Sequence, residues 1–267
     1  MTIILFSGVF SSDIVASIRK VVETRYTLLP YLYSLFFKVH TIGGTVVRSL
    51  VHEFSKDKNT HEIDEQFLWG SALLISPVIE QGKTQVTAYF PKASRWYNYY
   101  TGQEVVDSSS YVTVAAPRDT IPLHVRGGYI IPTQESAANT DQSRQKPFGL
   151  IIAPDKDKKA SGELYWDVDG VTEDPIGSNK YNLYDFEYNQ NLGELNSRVI
   201  VNNLISTLQN PINTIRVFDC NTRPASVLIN GLTPHSSYSY NAATKELVIS
   251  SLQVQFNRSF FLKFNCN

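Results

Sequence analysis

Cysteine, methionine and excess charge of either sign are scarce in this chain. Two cysteines, Cys220 and Cys266, among 267 residues are too few for a disulfide scaffold or a cysteine-based zinc cluster. A net charge of −1, from 24 Lys and Arg against 25 Asp and Glu, excludes the footprint of a nucleic-acid or anionic-membrane binder. No apolar run reaches the ~20 residues that a spanning helix needs, so no transmembrane segment is expected. The histidines are His40, His52, His61, His124 and His235. None forms a His-x-x-x-His pair, and both cysteines are remote in sequence, so no metal site is expected. Gly-x-Ser-x-Gly and phosphate-loop patterns are absent, and no cofactor is expected. The apolar start, Met1 to Phe10, has no basic residue ahead of it and no small-x-small cleavage site. It makes a poor signal peptide, and the reading preferred is an internal piece of a longer chain.

What is present is material for strands. The chain holds 15 Tyr and 14 Phe beside its single Met, at 42% hydrophobic and 18% charged residues. Its length suits about two domains. A helix is expected first, capped by Ser12 with Asp13 at its positive end. Ile14, Ile18, Val21, Val22, Leu29, Leu32 and Phe36 recur close to helical period; Pro30 should kink this one long helix, and Gly43–Gly44 should end it. From Thr45 the period changes to two, as in Ile121, Leu123 and Val125 or Val86, Ala88 and Phe90. Further strands are expected at 73–79, 111–115, 148–153, 163–167, 181–188, 198–201, 214–218, 227–229, 247–250 and 260–264. Short strands parted by turns predict antiparallel sandwiches, and the polar stretch 133–146 divides them into two modules.

Each candidate constellation has a plainer reading. Trp96-Tyr97-Asn98-Tyr99-Tyr100 resembles a sugar-stacking platform, but neighbours on a strand face opposite ways, so core packing is favoured. Asp167-Val-Asp169-Gly170 opens like a calcium loop, yet its twelfth position is Ser178, not Glu. Asp155-Lys-Asp-Lys-Lys159 reads as a solvated hairpin tip. Glu53 and Asp64 are given structural or surface roles. If the strands ending near Cys220 and Cys266 run parallel as neighbours, the cysteines can bridge and close a loop of roughly 45 residues; otherwise they are unrelated thiols.

Residues alone stop at a leading helix and two β modules. The segment Arg25-Tyr-Thr-Leu-Leu-Pro-Tyr-Leu-Tyr33 resembles a signature of glycoside hydrolase family 31. The resemblance continues through Thr45-Val-Val-Arg48, His52-Glu-Phe54, Ile63-Asp-Glu-Gln-Phe-Leu68, Ile75-Ser-Pro-Val78 and Ala88-Tyr-Phe-Pro91. It includes Trp96-Tyr97, Tyr100-Thr-Gly102, Leu123-His-Val-Arg-Gly-Gly-Tyr-Ile-Ile-Pro132 and Gly162-Glu-Leu-Tyr-Trp-Asp167. It is similar to the intestinal maltase-glucoamylase and sucrase-isomaltase type, strongly from Val21 to Asp167 and weakly from Asn179 onward. Ser49, His61, Ser71-Ala72 and Val168 depart from the family pattern.

The resemblance implies a retaining α-glucosidase with a (β/α)8 barrel followed by two β-sandwich domains. It places 1–45 at the end of the barrel, 46–132 in the proximal sandwich and 133–267 in the distal one. Two Asp carboxylates carry the family's chemistry. Neither the Trp-x-Asp-Met-Asn-Glu strand nor the later Gly-Asp segment occurs here, so no catalytic, cofactor-binding or metal residue is assigned. An oligosaccharide substrate would meet this chain only through the barrel. The expected location is the secretory pathway, extracellular, membrane-anchored or lysosomal, which the sequon Asn257-Arg-Ser259 favours. The apolar face with Leu28, Leu29, Leu32 and Phe36 should be bare without barrel strands, so that trimming before Thr45 should restore solubility. The alternative is a stand-alone, non-catalytic β protein that binds carbohydrate or a partner enzyme.

Overall fold

A computed structural model describes residues 11–106, 111–167, 174–204, 210–256 and 258–267. Met1 to Phe10, Val168, Asp169, Gly170 and Asn257 of the readings above lie outside these residues. The fold is mainly β, as expected.

Two helices replace the single kinked one: α1 (Ser12–Thr27) and α2 (Leu29–Ile42), parted at Leu28 with φ −91° and ψ −1°. Pro30 lies in the first turn of α2, where its missing N–H costs nothing, so the chain restarts a helix there instead of bending one. The N-cap is Ser11, not Ser12, and its side chain makes no capping bond; Asp13 sits in the first turn as expected. Gly43, at φ +81°, ends α2.

Five short antiparallel strands build the first sheet, in the order Val47–Ser49, Phe67–Trp69, Leu73–Ile75, Leu123–Arg126 and Trp96–Asn98. The pair Gln85–Tyr89 and Tyr111–Ala115 closes its outer core over Leu50, Leu68, Phe90 and Trp96.

The second sheet has eleven strands, and Tyr129–Gln134 belongs to it, so position 132/133 falls inside a strand. Strands from both ends of its order share one core, including Phe148, Trp166, Tyr184, Phe186, Leu247 and Leu262. The sheet therefore curls nearly closed, and His235 near one end bonds Ser250 O near the other at 2.7 Å. Alternation is clear in Tyr181–Asn189, where Asn182, Tyr184, Phe186 and Tyr188 point inward.

The arrangement is not wholly antiparallel. Phe148–Ala153 lies parallel to Ile212–Val217, and Tyr129 parallel to Ser161. Parallel neighbours need a long return path. Here the antiparallel meander of Lys159–Asp167, Tyr181–Asn189 and Glu194–Asn202 supplies it. Nor is 155–159 a hairpin tip, because Tyr129–Gln134 lies between the strands that this turn joins. Phe148–Ala153 is buried on both faces, which explains its unbroken apolar run.

α2 fills a wedge in this sheet. Lys159–Asp167 meets Tyr129–Gln134 only at Ser161 and then diverges. The Tyr165 N–H, left without a strand partner, donates to Ser34 Oγ at 2.9 Å, and Phe37 stacks on the Tyr165 ring at 4.3 Å. Gly162 permits the approach that precedes the split, since a Cβ there would stand 2.1 Å from Ile130 O. Tyr31 Oη donates to Trp69 O at 2.8 Å and ties the helix to the first sheet as well.

Candidate functional site

The two sheets meet along an aromatic and ionic seam. Ile131, Ile151, Ala153 and Phe218 of the second sheet share a core with Tyr97, Tyr99, Leu123 and Val125 of the first. A short strand at Trp96–Asn98 sends its aromatics in opposite directions. Trp96 enters the outer core, and Tyr97 enters the seam 5.8 Å from the Phe218 ring. Tyr97 Oη bonds Pro154 O, and Tyr100 Oη bonds Ile121 O. Trp96, Tyr97 and Tyr99 are thus buried, with Tyr100 half-buried beside them. Gly102, at φ +70°, lets Phe218 approach, because a Cβ there would be 2.7 Å from its ring.

Arg95 is the polar centre of the seam. It donates to both oxygens of Glu104 at 2.6 Å and to Asp219 Oδ2 at 2.6 Å. Lys158 reaches the same Asp219 oxygen at 2.5 Å. Asp219 is only 5% exposed. Burial pushes its carboxyl up, but the hydrogen bonds from Arg95 and Lys158 outweigh that and hold it below the ordinary carboxylate range. In the first sheet, Glu53 accepts from Arg48 at 2.8 Å and Arg126 at 2.7 Å. Burial raises its carboxyl too, and the two arginines again win. Ser71, one of the departures from the family pattern, joins this cluster, accepting from Arg48 at 2.7 Å. Asp167 accepts from the Tyr33 and Tyr165 hydroxyls and lies 3.5 Å from Arg144 Nη2, which makes it a brace between α2 and the sheet rather than a cation ligand.

Among the described residues no group of three His, Cys, Asp or Glu side chains could hold a metal ion. Asp155 spends Oδ1 on the N–H groups of Asp157 and Lys159, shaping its own turn. His124 is buried in the first module, while His61 and His235 bond backbone carbonyls of Ser55 and Ser250. Asp64 has an exposed place before Phe67–Trp69.

Cys220 and Cys266 are bridged, with Cα atoms 4.5 Å apart. The expected route was wrong, because Ile212–Val217 and Phe260–Lys263 are not neighbours in the sheet. The curl of the sheet, not adjacency, brings the cysteines together. Arg95, Glu104, Lys158 and Asp219 were missed by sequence reasoning. Arg95 and Asp219 lie 124 residues apart, and no spacing rule links them.

The helix pair presents a groove lined by Leu29, Leu32, Phe36, Tyr165 and Trp166. Leu28 and Tyr31, by contrast, are buried in this chain's own core, so only part of the expected bare face is bare. Phe36 remains 54% exposed.

Residues 43–131 match the model of the glycosyl hydrolase family 31 C-terminal domain. The chain is 44% identical over 258 residues to human "Probable maltase-glucoamylase 2", covering 95% of this chain and 10% of that protein. It is 38% identical over 265 residues to human "Sucrase-isomaltase, intestinal", covering 96% of this chain and 14% of that protein. The similarity thus runs well beyond Asp167, further than the sequence motifs reach. A glycoside hydrolase family 31 dextranase of Flavobacterium johnsoniae, solved with glucose, has the same fold at a TM-score of 0.80 and 21% identity, over 96% of this chain and 33% of that one. The chain therefore spans a small part of the relatives it matches. The chain carries the C-terminal domain of glycosyl hydrolase family 31 and is related to the α-glucosidases of that family.

Proposed function

We propose that this chain is the C-terminal supporting part of a retaining α-glucosidase that removes terminal α-linked glucose from maltose-type oligosaccharides, and that it has no hydrolytic activity alone. In this reading 1–45 ends the catalytic barrel, 46–132 is the proximal and 133–267 the distal β domain, and Tyr129–Gln134 is the strand that joins them. The observation that carries the reading is the state of the buried carboxylates. A retaining glycosidase needs two carboxyl groups about 5 Å apart across an open site, one as nucleophile and one as acid. Glu53, Asp167 and Asp219 are instead each paired with arginine and largely withdrawn from solvent. In this reading the parent enzyme works in the secretory pathway, a compartment in which the Cys220–Cys266 bridge can form. Substrate contact would come through the barrel alone.

The test is hydrolysis of an aryl α-glucoside and of maltose by the purified chain. Rates equal to a no-protein blank are expected. Turnover that survives repurification and disappears in one variant of an acid-to-amide scan overturns the proposal.

A further inference from the structure

The cysteine bridge closes a ring of contacts around the seam's key carboxylate. Asp219 directly precedes Cys220 and adopts a left-handed φ of +55°. On the other side of the bridge, Cys266 O accepts from Asn221 N at 2.7 Å, and Asn267 O accepts from Thr222 Oγ1 at 2.7 Å. Asn267 Nδ2 donates to Gln190 O at 3.2 Å, and Gln190 Nε2 donates to Asp219 O at 3.0 Å. Gln190 N also bonds Lys158 O at 2.9 Å, which places the lysine that shares the Asp219 carboxylate with Arg95. Each of these bonds lies within the second module. The Asp219 side chain carries the ring across the seam to Arg95 of the first at 2.6 Å, beside a longer bond from Arg95 to Asp155 O at 3.4 Å.

We propose that the Cys220–Cys266 bridge is a redox-sensitive latch on the contact between the two β modules. In the oxidised chain the bridge fixes segment 265–267 against the Asp219 turn, and the strained turn holds its carboxylate on Arg95. Both cysteines are fully buried, so a dithiol reductant breaks the S–S bond by exchange when the segment carrying Cys266 opens locally. Cys220 and Cys266 together take up two electrons and two protons as thiols, and the dithiol leaves as a cyclic disulfide. Segment 265–267 then loses its covalent hold, the Asp219 turn relaxes, and Arg95 keeps Glu104 of its own module and, across the seam, only the long 3.4 Å bond to Asp155 O. An oxidising compartment closes the latch and a reducing one opens it.

Hydrogen exchange on the full chain tests this, because it reports local opening amide by amide. The informative amides are Gly127 N, bonded to Arg95 O, and Val105 N, bonded to Trp96 O. Both belong to the first module. Exchange is compared between oxidised protein, protein treated with dithiothreitol until two thiols are counted, and the Cys220→Ala/Cys266→Ala pair, which needs no reductant. Opening is expected to speed Gly127 and Val105 at least tenfold, with the Gln85–Tyr89 and Tyr111–Ala115 pair unchanged. In Arg95→Met the two amides should already be fast, and reduction should add nothing. Unchanged amides, a uniform rise through the whole first module, or equal acceleration by reduction with and without Arg95 overturns the latch.

Discussion

His124 lies in the Leu123–Arg126 strand with its ring edge-on to Phe90 at 4.7 Å and its buried Nδ1 without a hydrogen-bond partner. Burial pushes its pKa down from 6.5 to about 4. The fold therefore accepts the neutral ring and resists the charged one. The sign follows: its contribution to stability is complete above pH 6.5 and is lost as pH falls from 6.5 towards 4. At ~1.4 kcal/mol per pKa unit the whole effect is about 3 kcal/mol. Glu53 and Asp219, with depressed carboxyls, act in a lower window, contributing above ordinary carboxylate values of 4.5 and 3.8 and losing that contribution below them. Urea unfolding at pH 7 and pH 4.5 should show a loss of about 2–3 kcal/mol from His124. His124→Phe, which keeps the contact with Phe90, should remove most of that loss. An unchanged pH dependence in the variant would show that other groups cause it. The sequence shows His124 to lack a metal-ligand spacing but does not show its burial, because it occupies the polar slot of an alternating strand whose outer face another strand pair covers.

The helix pair shows what periodicity can and cannot deliver at the scale of an element. Apolar spacing located the helical region, and Pro30 and Gly43 marked its break and its end, because those residues act on the local backbone. Which face meets which surface depends on a wedge that only the folded sheet creates. Leu28 and Tyr31 fill this chain's own core and Ser34 satisfies a strand amide, so the helix is integral and not merely a remnant. Ser34→Ala should therefore cost about 1–3 kcal/mol by leaving the Tyr165 N–H buried and unpaired, as measured by chemical denaturation. Trimming residues before Thr45 should lower stability by at least about 3 kcal/mol, since it deletes Leu28 and Tyr31 from the core they help to fill. This reverses the expectation from sequence that trimming restores the chain. Equal melting of full and trimmed chains would contradict the packing described here.

For the whole molecule, strand positions were largely legible and their neighbours were not. Phe148–Ala153 was read to the residue, because a doubly buried strand writes itself as an apolar run. Its parallel pairing with Ile212–Val217, the curl of the second sheet and the Arg95–Asp219 contact depend on strand order, which short-range patterns do not encode. The family was legible through many ordered motifs, and the shared fold gives those motifs their places: the Leu123–Pro132 segment leaves the first sheet and enters the second. We propose that this assembly of sheets and helices supports a glycosidase without containing its nucleophile. A retaining nucleophile forms a covalent glycosyl-enzyme intermediate, so the most direct measurement is intact mass after incubation with an activated fluoroglucoside that traps that intermediate. An unshifted mass is expected at every concentration of the probe. A stoichiometric hexosyl adduct on one carboxylate, abolished by its amide variant, would contradict it.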